Sequence, residues 1–336
     1  MSHTMNLPPR STIILAVPDM TWASTWARVE AGTLPAIAAV AQRGVRCRMT
    51  PLVDPNAPAI WPTIATGQLA ERHAILAAAE AWAGGMRPPQ RSSWRAPPFW
   101  EQLTRAGIAT LGVGWPVTEP GSDWAATIID NRIGQPTGAG WDDWFLPRGV
   151  SPAGLRDRVR DMRVHPTDIT AEMLRPFVPD LESVDQHRDR RLIDLALAIA
   201  QFTTVFGVAR ELLRDGTWPV VTLYTDFLAI LHRHFDRAEA PFDRVIDAGW
   251  TTIDTLVAAL SAMMPPDATV ILISPGRSGL AGIVMAAGPG LSADVELASL
   301  RAIDVAPSVI ARHGLIDTAL PGRSRRTTTS SITPAI

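Results

Sequence analysis

The sequence predicts an α/β protein whose central, mostly parallel sheet is flanked by helices. Several short runs of apolar, mainly β-branched residues contain almost no polar position, as in strands that are covered on both faces. The clearest are residues 11–17, Val220–Tyr224 and Thr269–Ser274. Segments with helical periodicity lie between such strands; residues 34–43, for example, end at Gly44.

Composition limits the possible functions. At 336 residues the chain can bury a large core, and 46% apolar and 19% charged residues are typical of a globular protein. A net charge of −2 gives no reason to expect nucleic acid or an anionic membrane as a partner. All 31 basic residues are Arg, which excludes a Schiff-base lysine. The single cysteine, Cys47, cannot form an intrachain disulfide, and we expect it to be a buried structural thiol.

The N-terminal segment MSHTMNLPPRSTIILAVP carries one apolar run of about six residues, which suits a buried strand and is too short for a signal peptide or membrane span. We therefore expect a cytoplasmic protein that does not bind membranes.

The remaining sequence predicts further strands, helices and loops. Residues 44–49 form a strand, 78–100 an irregular excursion, 99–106 a helix and 108–114 a strand, followed by loop to residue 150. Ser151 is predicted to cap a helix to residue 162, and further helices cover residues from 171 and 190–214. Strands at 220–224, 269–274 and 283–287 then alternate with helices at 241–264 and 301–313. We predict core segments at 11–150 and 217–323, an inserted helical cap at 151–216 and a disordered tail at 324–336.

One stretch organises the chain: residues 49–76, MTPLVDPNAPAIWPTIATGQLAERHAIL. Its Trp-Pro-Thr-Ile-Ala-Thr-Gly portion, residues 61–67, is predicted to open a helix at Pro62, where free backbone N–H groups can bind an anion. The stretch resembles the nucleophile segment of the alkaline phosphatase superfamily, most closely the type I phosphodiesterase/nucleotide pyrophosphatase branch. The resemblance extends over residues 11–76, 107–118 and 218–323, and it implies the superfamily's α/β fold.

The resemblance implies a site with two zinc-like ions, held by Asp and His side chains, and a Thr or Ser nucleophile. Asp19 matches the first ligand position. Ala57 stands at the nucleophile position, and a methyl group cannot attack phosphorus. Ile60 stands where nucleotide pyrophosphatases have a phosphate-binding Asn.

The remaining ligand positions also differ from the family pattern. When the expected Asp-x-x-x-His pair is aligned on Asp226, the His position is Ile230; when it is aligned three residues later, the pair becomes Ala229 and Arg233. After Ser274 the expected Asp and His are replaced by sequence that leads to Arg277, and the last His position is Ser278. At most two of six ligands remain, so we predict neither a dinuclear metal site nor another cofactor.

The remaining ionisable groups leave alternatives open. His232 and His234 share a face on a strand, where with Asp226 they could hold one ion, but they diverge on a helix. Asp19 and Asp226 at neighbouring strand ends would repel each other, and burial would raise the pKa of one of them, which permits acid–base chemistry. Alternatively, both are structural. Arg277 could pair with either carboxylate or hold an anionic substrate.

The predicted pocket combines these groups with neighbouring side chains. Its members are Asn56, Ala57, Ile60, Trp61, Ile230, His232, Arg277 and Ser278, with Asp19 and Asp226 as catalytic candidates. Several of the 12 tryptophans could line it, or could equally form packing. These are Trp82, Trp94, Trp100, Trp124, Trp141 and Trp144.

Three functions remain in competition. The first is a metal-independent isomerisation, elimination, cyclisation or group transfer on a small organic substrate. The second is a catalytically inactive binding or scaffold protein. The third is a hydrolase with one metal at Asp19, Asp226 and either His232 or His234. Each implies a small-molecule ligand, and none fixes the oligomeric state.

Overall fold

The computed structural model describes residues 11–51, 57–118, 124–135, 149–277 and 279–315, with the side chains of residues 57 and 58 left out. Eleven strands lie in these ranges: β1 Thr12–Ala16, β2 Gly44–Met49, β3 Glu80–Trp82, β4 Gly85–Arg87, β5 Thr110–Trp115, β6 Thr127–Asp130, β7 Val150–Ser151, β8 Val220–Tyr224, β9 Thr269–Ser274, β10 Gly282–Ala287 and β11 Val295–Glu296.

Nine of the described strands form the central sheet, in the order β11-β2-β10-β9-β1-β8-β5-β6-β7. The middle of the sheet, from β9 through β1, β8 and β5 to β6, is parallel. β10 runs antiparallel to β2 and β9, and β7 runs antiparallel to β6. Every residue of β1, β8 and β9 is buried, because helices cover both faces. The predicted α/β fold with a mostly parallel sheet is confirmed.

Eleven α-helices are described: α1 Trp22–Glu30, α2 Pro35–Gln42, α3 Ala57–Thr66, α4 Ala70–His73, α5 Phe99–Arg105, α6 Arg156–Asp161, α7 Ala171–Leu174, α8 Arg191–Asp215, α9 Phe227–Phe235, α10 Val245–Met263 and α11 Val305–Arg312. One face of the sheet packs against α1, α2, α8, α9 and α10, and the other packs against α3, α5 and α11. Successive residues of β1 alternate between the two cores, as the pleat requires.

Several predicted boundaries were wrong. Helix α3 begins at Ala57, so Pro62 lies inside it rather than at its start. Ser151 belongs to β7 and caps no helix, because Pro152 follows and α6 begins only at Arg156. Strand β6 lies within the segment predicted as loop, since four residues are too few for a clear period.

The segment predicted as a cap, residues 151–216, contains α6, α7 and α8. α8 packs along the sheet beside α9, and twelve of its residues are buried. By length and composition α8 could cross a membrane, but half of its most apolar window lies inside the fold. Its hydrophobic character is thus used for packing in the core. The division into core and cap remains a prediction.

Candidate functional site at the carboxyl ends of the central strands

Three charged candidates come from three neighbouring strands. β9, β1 and β8 are adjacent and parallel, so their carboxyl ends meet at one end of the sheet, here called the carboxyl edge. Asp19 follows β1, Asp226 follows β8 and Arg277 follows β9. Ligand sites of open α/β sheets lie at such an edge.

A buried hydroxyl group joins two of these strand ends. The Oγ atom of Ser274 accepts hydrogen bonds from the backbone N–H groups of Met20 at 3.1 Å and Gly276 at 3.3 Å. Gly276 has a φ of +85°, and a Cβ atom there would lie 2.2 Å from the carbonyl oxygen of Leu280. Only glycine fits this turn, which carries Arg277.

Asp19 has an unusual backbone conformation. Its φ is +68°, in the left-handed region that costs a non-glycine residue about 1 kcal/mol. Strain of this kind is concentrated at functional sites. The Asp19 side chain is 20% exposed. Burial raises its pKa, while the positive charge of Arg277 lowers it.

Arg277 lies between two carboxylates. Its Nε atom is 3.8 Å from Oδ2 of Asp19, and its Nη2 atom donates a hydrogen bond of 3.1 Å to Oδ2 of Asp236. Of the two partners considered from sequence, the structure pairs Arg277 with Asp19. Asp236, at the end of α9, is a further partner that the sequence analysis did not include.

The side chain of Asp226 does not cap the helix that follows it. It precedes α9 as the N-cap residue, yet its carboxylate accepts no capping hydrogen bond. Thr225 accepts from the N–H of Phe227 instead, at 3.2 Å. The Asp226 carboxylate accepts a hydrogen bond from Nε2 of Gln201 on α8, at 3.2 Å. An Asp N-cap ordinarily stabilises its helix by about 1 kcal/mol, so this side chain is directed elsewhere.

The pKa of Asp226 is raised to about 6, because protein surrounds the carboxylate and disfavours its charge. A hydrogen bond from its own backbone N–H and the positive charge of Arg233 partly offset this effect. Burial, which the sequence analysis expected to raise the pKa of one of these carboxylates, raises it at both Asp19 and Asp226. Neither carboxylate contributes to the pKa shift of the other, and burial is the main cause for both.

The two candidate histidines diverge. Both lie on α9, where Nδ1 of His232 is 3.8 Å from Asp236 and Nδ1 of His234 is 3.6 Å from Asp194 of α8. Burial and the charge of Arg277 lower the pKa of His232. Helical geometry thus separates the histidines, and they do not converge with Asp226.

The remaining pocket candidates lie on both faces of the sheet. Trp61, on α3, packs in the core that also contains Tyr224, with ring centroids 4.9 Å apart. Ile60 is half-buried against the same core, whereas Ile230 packs against the core on the opposite face. Ala57 is the first residue of α3. Asn56 and Ser278, together with Trp141 and Trp144, lie outside the described residues.

Most of the described tryptophans from the predicted excursions pack against one another. Trp94, Trp100 and Trp124 have ring centroids about 6 Å apart and are nearly fully buried. Trp100 is 5.2 Å from Trp115, and Trp82 is 53% exposed on the separate hairpin of β3 and β4. This cluster is core packing, and a Trp-lined cavity remains a prediction.

Sequence reasoning missed Gln201, Asp236 and Tyr224. Tyr224 is the only tyrosine, and burial together with the charges of Asp226 and Asp19 raises its pKa. Its position as the last residue of β8 was a usable signal. No local signal marks Gln201, which lies 25 residues before its partner Asp226.

The described side chains near Asp19 differ from the two-zinc ligand set that the resemblance implies. A guanidinium group lies beside Asp19, and an aliphatic side chain occupies position 230. Within the described ranges, no three His, Cys, Asp or Glu side chains are grouped as a metal site would require. A divalent cation next to Arg277 would also meet a fixed positive charge.

A mostly parallel sheet with ionisable groups at the carboxyl ends of β1, β8 and β9 defines an α/β protein with a candidate ligand site at its strand ends. The family model described as "Type I phosphodiesterase / nucleotide pyrophosphatase" matches residues 20–275, and the chain belongs to this family. Comparison with curated proteins gave no match.

Solved structures show the same fold. The phosphonate monoester hydrolase of Silicibacter pomeroyi is 15% identical with a TM-score of 0.55, and the match covers 94% of this chain and 75% of that one. Human ectonucleotide pyrophosphatase/phosphodiesterase 5 is 10% identical with a TM-score of 0.56, over 94% and 97% of the two chains. The PsFucS1 sulfatase of a Pseudoalteromonas species is 13% identical with a TM-score of 0.52, over 92% and 68%.

Proposed function

We propose that this chain binds a small organic molecule at the carboxyl edge and converts it without a metal ion, by proton transfer to and from Asp226. The observation that carries the proposal is the ion-paired Arg277, which lies beside Asp19 where the family resemblance calls for a metal. Its fixed positive charge replaces part of the charge that metal ions would supply, and the nucleophile position is Ala57.

Asp226 is suited to acid–base work. With a pKa of about 6, its carboxylate is mostly ionised near neutral pH and can accept a proton, and the resulting acid can return it. The side chain accepts no capping hydrogen bond from α9, and the N–H of Phe227 donates to Thr225 instead. Isomerisation, elimination, cyclisation and group transfer can all proceed with such a group and without a nucleophilic hydroxyl on the protein.

Arg277 provides the second group of the proposed site, a guanidinium that can bind an anion. One N–H of its guanidinium is committed to Asp236, and its side chain is 34% exposed. Guanidinium groups bind carboxylates and similar planar anions through several parallel hydrogen bonds. We propose that Arg277 orients an anionic group of the substrate while Asp226 exchanges a proton with a carbon or heteroatom nearby.

The metal question is tested first. The purified full chain, grown with added zinc, is analysed for metals and assayed with bis(p-nitrophenyl) phosphate, with and without zinc. We expect well under one zinc per chain and no hydrolysis, also after Ala57→Thr. Stoichiometric zinc together with hydrolysis that a chelator abolishes would establish the hydrolase function that the names of the neighbours suggest and would refute this proposal.

Catalysis is tested next. The protein is incubated with a small-molecule extract, and consumption of compounds is followed by mass spectrometry for wild type and Asp226→Asn. We expect at least one compound that wild type consumes and the variant does not. Asp247→Asn is the matched control, because Asp247 lies on exposed surface paired with Arg28.

A catalytically inactive binding protein is the second candidate. An inactive threonine-to-alanine variant of murine ectonucleotide pyrophosphatase/phosphodiesterase 5 was solved in complex with AMP, at 12% identity to this chain and a TM-score of 0.52. That relative thus retains a ligand without activity, which supports binding as a possible role of this fold. Consumption of no compound, together with thermal stabilisation by one of them, would favour this candidate.

A further inference from the structure

We infer that Gln201, on α8, is a positioning residue for Asp226: its side-chain amide holds one carboxylate oxygen and directs the other toward the carboxyl edge. The inference rests on the proposed function for its catalytic meaning, but the contact and its effect on Asp226 can be measured independently.

Gln201 is a buried polar residue. Gln201 is 9% exposed in the middle of α8, among residues of the core that α8 shares with α9 and the sheet. An amide side chain placed there without a partner would cost about 1–3 kcal/mol, so a buried Gln needs a specific bond. Its Nε2 atom donates to Oδ1 of Asp226 at 3.2 Å.

The Asp226 carboxylate takes no part in capping α9. Asp226 stands at the N-cap position, where an Asp ordinarily accepts from its own helix, yet its side chain accepts no capping hydrogen bond, and Thr225 accepts from the N–H of Phe227. The hydrogen bonds of the carboxylate come from its own backbone N–H and from Gln201 of α8. With Oδ1 bound to Gln201, Oδ2 is the oxygen assigned to proton exchange with a ligand.

A neutral amide suits a carboxyl group that gains and loses a proton. The N–H of Gln201 can donate to Oδ1 whether or not Oδ2 carries a proton, because Oδ1 is an acceptor in both states. Gln201 can therefore hold Asp226 through a proton-transfer cycle. A Lys or Arg side chain would add a charge that lowers the pKa of Asp226, and a hydrophobic side chain would not hold the carboxylate.

Gln201 and Asp226 come from different segments of the chain. Gln201 belongs to the segment 151–216, and Asp226 follows the central strand β8. Their hydrogen bond is a direct polar link between α8 and the candidate site. A substitution that shifts α8 should therefore alter the hydrogen bonding of the Asp226 carboxylate.

The test is the titration of Asp226 in the full chain, labelled with ¹³C at the Asp carboxyl carbon and assigned with Asp226→Asn. Gln201→Met keeps the length and apolar packing but removes the donor. Because hydrogen bonds to a carboxylate stabilise its charged form, we expect the variant to raise the pKa of Asp226 by roughly half a unit or more. Thr204→Val is the matched control: it removes a buried hydroxyl from the same helix, one bonded to Val164 rather than to Asp226.

The possible outcomes distinguish the positioning role of Gln201 from the proposed function. A raised wild-type pKa that Gln201→Met leaves unchanged, or an equal shift with Thr204→Val, would overturn this inference and leave the proposed function intact. An ordinary wild-type pKa that Gln201→Met still moves would support the positioning role and count against the proposed function. If a substrate is found, the alkaline or acidic limb of its kcat profile should move with the titration of Asp226 in Gln201→Met and stay in place in Thr204→Val.

Discussion

Replacement of Asp226 by Asn should make the protein more stable at alkaline pH. The carboxylate has a pKa of about 6 in the folded protein against 3.8 when solvated, so the native state binds its proton more tightly than the unfolded state. The contribution of the tighter proton binding to the free energy of unfolding is fully present below pH 3.8 and is lost as the pH rises through 6. At 1.36 kcal/mol per unit, the charge costs roughly 3 kcal/mol above pH 6. Asn carries no charge, so Asp226→Asn recovers up to this amount.

The assay is urea unfolding followed by tryptophan fluorescence at pH 4 and pH 8. We expect the free energy of unfolding of Asp226→Asn to exceed that of wild type by up to roughly 3 kcal/mol at pH 8, and to differ by only a few tenths at pH 4. A gain in stability on removal of an ionisable group is typical of a residue kept for function.

Asp130→Asn is the control. Asp130 is fully buried and its pKa is also raised to about 6. Unlike Asp226, however, it accepts four hydrogen bonds, two from Thr118 and two from Arg132. An Asn in its place would turn N–H groups toward these donors, so we expect a loss of about 2 kcal/mol at pH 8. Equal effects of the two variants at pH 8, or a gain for Asp226→Asn that is the same at both pH values, would refute the reasoning.

Three further predictions follow from the described contacts. Trp100→Ala should lower the free energy of unfolding by about 3–5 kcal/mol in urea denaturation, because Trp100 is fully buried, whereas the exposed Trp82→Ala should change it by less than about 0.5 kcal/mol. His73, buried and with a pKa of about 4, should make wild type lose stability as the pH falls from 6.5 toward 4. In thermal melts His73→Gln should reduce this loss and the exposed His187→Gln should not. Arg277→Gln should change stability by less than about 1 kcal/mol yet raise the pKa of Asp19 in carboxyl NMR, and an unchanged Asp19 would show that the ion pair is not formed in solution.

The sequence was sufficient to predict the sheet and the strand ends. Runs such as Val220–Tyr224 are buried on both faces, and the residue type that follows a central strand is local information. Asp19, Asp226 and Arg277 could therefore be nominated from their positions. The divergence of His232 and His234 also followed from helical geometry alone once α9 was placed.

The partners of these residues could not be predicted in the same way. Ser274 binds the N–H of Met20, 254 residues away in the chain, and Gln201 reaches Asp226 only because α8 packs beside α9. Such contacts depend on how elements pack, which periodicity does not reveal. The tryptophans illustrate the same limit, since composition alone does not distinguish rings that line a cavity from rings that fill a core.

The hydroxyl of Ser274 has a consequence for how a ligand can bind. Because a single buried oxygen holds the backbone after β1 and the backbone after β9, these two loops are tied together and resist being spread apart. A ligand at this edge would therefore meet a preformed seat rather than one that it must assemble, and its binding would spend little free energy on ordering the backbone of these loops.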